Sequence, residues 1–251
     1  MKLQLLGTGG YHPSEERHTA CYFLPDVGVV LDAGTGFFRV APRLKTKELQ
    51  IFLSHAHLDH VVGLTYFQPA FKLGLVERVR VYAQAAVVEA VRSYLFENPI
   101  FSGRCRHEFV VLEEGRPVEI PSGGQVTFQP LVNHTGGSTA YRIDWPGFSL
   151  AYVTDTTVDG SYTQFVRGVD LLLHECTFMN ELKEMAEEAK HSYAQSVGEL
   201  AKEAQVGRLI LCHLDPWLND YQQKILEQVQ AVFEPVELAR DLKEVEFNIK
   251  A

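Results

Sequence analysis

Apolar residues along the chain fall in short runs, each stopped by a glycine or a polar cluster. Leu3–Leu6, Ala20–Leu24, Val29–Asp32, Gln50–Ser54, Val79–Ala83, Val126–Val132, Ser149–Thr154, Leu171–His174 and Arg208–Cys212 are rich in β-branched and aromatic residues and predict strands. Val61–Phe71, Gln84–Phe96, Ser192–Ala204 and roughly Asp220–Val232 predict helices, and the third opens with Ser192-x-x-Gln195, a capping-box pattern. Many strands with helices interspersed imply α/β architecture, sheets covered by helices. With no repeat or low-complexity linker, the expectation is a single domain over residues 1–251.

Chemistry-bearing residues follow directly on these strands. Leu49–Ser54 runs into His55, Val126–Asn133 into His134, and Ser149–Thr154 into Asp155; Leu171–Leu173 runs into His174-Glu175 and Leu209–Cys212 into His213. Strand ends that share one edge would bring these side chains together on rigid supports.

Composition narrows the partners. The 251 residues are 46% hydrophobic and 22% charged, with a net charge of −9 and a pI near 5.6. Such an acidic chain is poorly suited to holding a long nucleic acid on a broad basic face, so anion binding calls for a local positive site such as a metal. Cys21, Cys105, Cys176 and Cys212 lie far apart, which argues against a disulfide framework or a zinc finger. The apolar start, Met1 to Leu6, stops at Gly7, and no apolar run approaches membrane-spanning length; the expected location is cytoplasmic, without a membrane partner.

His55-Ala56-His57-Leu58-Asp59-His60 packs three imidazoles and a carboxylate into six residues. Both donor types suit zinc. With the later His134, Asp155 and His213, the motif resembles that of the metallo-β-lactamase superfamily. The resemblance implies a four-layer αββα sandwich with two zinc ions at one edge. His55, His57 and His134 would hold one ion, Asp59, His60 and His213 the other, and Asp155 would bridge them. Manganese or iron also fits such ligands. A metal pair of this kind acidifies a shared water and favours a transition state that gathers charge on oxygens. Many β-lactamases proper carry a cysteine where Asp155 stands, which argues against antibiotic hydrolysis.

Several segments are similar to ribonuclease Z and its relatives: Leu6-Gly7-Thr8-Gly9-Gly10 with Pro13 and Arg17, Asp32-Ala33-Gly34-Thr35-Gly36, Tyr152-Val153-Thr154-Asp155-Thr156, His174-Glu175-Cys176-Thr177-Phe178, and His191-Ser192. By this resemblance the catalytic residues are Asp59, His191 and Glu175, with Glu175 orienting and charging His191 so that it can donate a proton to the leaving oxygen. Tyr193 departs from the usual Thr. The long basic arm that ribonuclease Z uses on tRNA is absent: only Asp144–Leu150 joins Tyr141–Ile143 to Ala151-Tyr152. The expected activity is therefore zinc-dependent hydrolysis of a small phosphodiester, such as a cyclic or short nucleotide. RNA, as in tRNA 3′ processing, is kept as a lesser alternative beside a lactonase or thioesterase of the same fold.

The other histidines carry weaker expectations. His174 should pack, His12 and His18 belong to a loop near the cleft, and Arg104-Cys105-Arg106-His107 reads as a surface basic cluster. Trp145, Trp217 and Tyr221 suit a cleft, a homodimer face or the core equally.

Overall fold

Along Lys2–Gly7 (β1), Leu3 and Leu5 face one apolar layer and Leu6 another; along Cys21–Leu24 (β2), Tyr22 and Leu24 oppose Cys21 and Phe23. Strands apolar on both faces must be covered on both. The computed structural model, which describes residues 1–97, 101 and 105–250, meets that demand with two stacked sheets and helices outside each.

The first sheet continues with β3 (Val29–Leu31), β4 (Glu48–Phe52), β5 (Arg78–Ala83) and β6 (Glu108–Val111). The second is laid down as β7 (Val118–Ile120), β8 (Gly124–Leu131), β9 (Ser138–Trp145), β10 (Phe148–Val153), β11 (Leu171–Glu175), β12 (Leu209–Cys212) and β13 (Val236–Leu238). The chain then returns to the first sheet as β14 (Lys243–Glu246). The orders are β14-β1-β2-β3-β4-β5-β6 and β13-β12-β11-β10-β9-β8-β7. Strands β3 to β6 are parallel, as are β10 to β13, and the remaining pairs are antiparallel.

The inner layer between the sheets is built from residues such as Leu5, Tyr22, Phe52, Tyr141, Tyr152, Leu173 and Ile210. Outside the first sheet lie α1 (Leu58–Val61), α2 (Gln68–Lys72) and α3 (Ala85–Ala90). Helix α4 (Lys183–Ala189) precedes α5 (Ala194–Glu203) and α6 (Gln222–Gln230), whose Val197, Leu200, Ile225 and Val229 pack on the second sheet. The result is the αββα sandwich expected from the motif.

Local departures from the sequence expectations have physical causes. The helix predicted over Val61–Phe71 is broken into α1, a 3₁₀ stretch Val62–Phe67 and α2. Gly63 there lies against the backbone of Ala33 and Gly34, and Pro69 is tolerated only in a first turn. The helix predicted over Gln84–Phe96 changes to π geometry at Val91. The capping box does not form. Ser192 donates its hydroxyl to the Thr156 carbonyl and its N–H to Glu175, and the helix begins at Ala194. His107 is buried, with Phe71, Phe96 and Phe109 around it, because its ring faces the apolar layer; the surface reading fails for it, and Arg104 lies outside the described residues.

The layout positions the site. Strands β8, β10, β11 and β12 point the same way, so their C-terminal ends open on one edge. Between β9 and β10 only Pro146 and Gly147 intervene, with Trp145 paired to Phe148 and Gly147 at φ +81°. Among the described residues no helix is long and apolar enough to cross a membrane.

Candidate functional site

Asp32, Asp155 and His213 each come just after a strand and have left-handed backbone, with φ of 56°, 46° and 54°. Such conformations are costly for residues with a Cβ and persist where the surroundings enforce them. Here they turn each side chain from its strand end into the shared edge.

The seven expected ligands assemble into two groups. Donor atoms of His55, His57, His134 and Asp155 lie within 4.8 Å of one another, as do those of Asp59, His60 and His213. Asp155 is divided between them. Its Oδ1 lies 3.3 Å from Nε2 of both His60 and His213, while Oδ2 lies 3.5 Å from His55 Nε2 and 3.6 Å from His134 Nε2. Asp59 Oδ2 faces His60 and His213 at 3.3 and 3.4 Å and accepts the Tyr11 N–H at 2.9 Å.

The hydrogen bonds behind these rings set their tautomers. Asp32, fully buried, accepts from the Ser54 N–H and hydroxyl, from the Tyr152 hydroxyl and from His60 Nδ1, each at 2.7 Å. Since Ser54 donates to Asp32, its oxygen accepts from His55 Nδ1 at 3.0 Å. His134 Nδ1 is 3.4 Å from the Lys190 carbonyl, and His213 Nδ1 is 3.4 Å from the Thr177 hydroxyl, which donates to Glu175. With Nδ1 of His55, His60, His134 and His213 engaged at the back, Nε2 of each of these rings faces the centre, where His134 Nε2 lies 3.2 Å from His57 Nδ1. His55 Nε2 and His60 Nε2 are buried there with no hydrogen-bond partner. Lone pairs aimed at one another and at carboxylates are repulsive unless a cation lies between them, so these residues fit a pair of metal ions.

The electrostatics agree. Burial opposes ionisation of Asp155, yet His213, His60 and His55 hold its carboxyl well below the usual range; burial likewise opposes Asp59, which His60 and His213 bring down. Burial pushes His55 down, and Asp59, Asp155 and Asp32 overcome burial to raise His60. The negative potential that raises His60 is one a divalent cation would use in place of the proton.

His191 stands beside this cluster, its ring stacked on His213 at 5.3 Å and its Nδ1 3.1 Å from Glu175 Oε1. Burial disfavours the charged imidazole, but Glu175 and Asp155 outweigh it and lift His191 to about 9. Glu175 is fully buried and also accepts from the N–H groups of Thr156 and Ser192 and from the Thr177 hydroxyl. Burial raises its carboxyl, and the His191 charge more than reverses that.

Other expectations separate from the cluster. His174 is core, bonded to the Tyr162 hydroxyl at 2.9 Å. His18 lies against Phe38 and Thr35, and His12 against Tyr11 and Trp217. The four cysteines are free. The sequence presents Asp32, Tyr152 and Thr177 only as parts of family-like segments and gives no role to Ser54. The switch from strand to polar residue that flagged Asp155 holds equally at Asp32, but nothing local marks Tyr152 as its donor from the other sheet.

Residues 17–214 match the family described as the β-lactamase superfamily domain. The chain is 28% identical to a ribonuclease Z of Methanosarcina acetivorans, over 98% of both chains. Among solved structures it resembles the metallo-β-lactamase fold protein YhfI of Bacillus subtilis, with a TM-score of 0.82 at 22% identity, covering 98% of this chain and 99% of that one. It also resembles the short form of human tRNase Z, with a TM-score of 0.76 at 22% identity, covering 99% of this chain and all of that one. The family match over most of the chain agrees with the αββα layers and the shared sheet edge, and the chain belongs to the β-lactamase superfamily.

Proposed function

We propose that this chain is a metal-dependent phosphodiester hydrolase, with zinc at both ion positions and a small or cyclic nucleotide diester as substrate. The observation that carries the reading is the Asp155 carboxylate split between two donor groups, with His191 beside it. Five imidazoles and two carboxylates form a nitrogen-rich set that suits zinc better than magnesium or calcium. When bound, two such cations supply Lewis acidity and lower the pKa of water toward neutrality.

The chain's own residues do the rest. Asp32 and Ser54 fix the tautomers of His60 and His55, leaving Nε2 of each as a donor. Glu175 holds His191 charged and oriented at Nδ1, so that Nε2 can give its proton to the leaving oxygen as general acid. Carboxylic esters and thioesters have less need of such a group, so the His191–Glu175 pair favours the diester.

A second reading, RNA 3′ processing, is favoured by the relative named ribonuclease Z, which aligns with nearly the whole chain. The two-residue turn between β9 and β10 and the net charge of −9 weigh against a wide RNA grip. Hydrolysis of bis(p-nitrophenyl) phosphate, a thioester and a lactone, each with and without chelator, tests the reading. Chelator-sensitive turnover of the diester alone is expected, and turnover of only the lactone or thioester would replace it. A precursor tRNA cleaved far faster than 2′,3′-cyclic nucleotides would favour the second reading.

A further inference from the structure

Two large aromatic rings stand in solvent beside the cluster. Tyr11 is 74% exposed and Trp217 76%. A single exposed aromatic is ordinary, but these two are joined through one imidazole: the His12 ring lies edge-on to both, 5.4 Å from Tyr11 and 5.3 Å from Trp217. His12 is held by its Nδ1, 2.8 Å from the Pro13 carbonyl.

This shelf is continuous with the candidate site. Tyr11 lines a cavity of about 190 Å³ together with Phe178, His191, His213 and Asp215. The backbone of Tyr11 is left-handed, with φ of 64°, and its N–H is given to Asp59. Trp217 is fixed from the same side, its N–H donated to the Asp215 carboxylate at 2.8 Å. Tyr11 is thus tied by its backbone to the ligand Asp59 and Trp217 to the cavity residue Asp215, while both rings stay largely exposed. A phosphate placed between the ion positions and His191 would leave one substituent at this opening. A nucleobase has the flat π-face that such rings hold, and stacking tolerates any base.

We propose that Tyr11 and Trp217 form a stacking shelf for the base of the substrate, making the site selective for nucleotide diesters over diesters without a base. The proposal rests on the phosphodiesterase reading and names the residues that recognise the base at that site.

The test has two arms. In the first, kcat/KM is measured for adenosine 2′,3′-cyclic phosphate and for ribose 2′,3′-cyclic phosphate. The ratio of the two should fall about ten-fold in Trp217→Ala, largely through KM, and recover in Trp217→Phe. In the second, fluorescence is followed as AMP or ribose 5-phosphate is added to the metal-loaded protein. Trp145 is buried, so Trp217 is the exposed reporter, and AMP should quench it while ribose 5-phosphate does not. An unchanged ratio in Trp217→Ala, or equal quenching by both phosphates, would overturn the shelf. Absence of diester turnover in the unaltered protein sinks the phosphodiesterase reading instead, and the quenching arm then judges the shelf alone.

Discussion

Glu175, fully buried, and His191, half-buried at the cavity, form an acid–base pair, with Oε1 3.1 Å from Nδ1, in which the carboxylate is also held by two backbone N–H groups and a threonine hydroxyl. Glu175 favours the proton on His191. In the proposed reaction His191→Ala lowers kcat by about 10²- to 10⁴-fold with metal content intact. Loss of metal in that variant would make His191 a ligand.

The pH profile has a definite sign. Because His191 must be protonated to act and Glu175 raises its pKa, activity is present below that pKa and declines as pH rises through it. Glu175→Gln removes the charge and moves the alkaline limb of kcat to lower pH. A limb that stays in place means another group sets it.

Gly10 lies so close to the His213 ring that an added Cβ would overlap it. The loop is fixed there by Gly10 N–H donating to the Leu214 carbonyl at 3.1 Å and by Leu214 N–H donating to Thr8. Gly10→Ala should displace His213, cutting occupancy of the second ion position and activity about ten-fold or more, since misplaced ligands lower affinity steeply. Metal analysis and turnover check it, with thermal unfolding as the control for folding.

Asp32 orients His60 from within the protein. Asp32→Asn should weaken metal binding by about 10- to 100-fold, measured by competition with a chelator. Tyr152→Phe removes a single bond to the same carboxylate and should cost about 1 kcal/mol of folding stability, read from urea unfolding. Unchanged metal affinity in Asp32→Asn would show that the His60 tautomer does not depend on Asp32.

Far from the site, burial holds His107 down at about 4 against an unperturbed 6.5. The folded state resists the proton that the unfolded chain accepts, so this contribution to stability is complete above pH 6.5 and is lost as pH falls toward 4. The loss amounts to about 3 kcal/mol at most. His107→Leu should flatten the fall in unfolding free energy between pH 7 and pH 4.5, and an equal fall in both proteins would contradict it.

Much of this molecule could be read without coordinates, for physical reasons. Runs such as Val79–Ala83, with Val79, Val81, Tyr82 and Ala83, and Leu171–Leu173 are too short for helices and apolar on both faces, as strands covered on both sides are, and the polar residues that end such runs mark the edge. Short or edge strands lacked that signal: β6, β7, β13 and β14 are at most partly buried along most of their length and went unpredicted, as did the central β9, where Ser138, Thr139, Arg142 and Asp144 interrupt the apolar residues. Helix α4 was missed because it buries only Ala186, leaving no apolar stripe. Ser192 misled because a capping box is a local pattern, and the buried Glu175 outcompeted it for the backbone N–H. Asp32 needed tertiary knowledge, since its partners come from β10 and from the segments after β4.

In the proposed site Asp155 joins two metal positions. Metal analysis of purified protein, with anomalous scattering from crystals at the zinc edge, tests it most directly. Two ions per chain are expected, one among His55, His57, His134 and Asp155 and one among Asp59, His60, His213 and Asp155, with both depleted in Asp155→Ala. Protein without transition metal, or two ions that persist in Asp155→Ala, would contradict it.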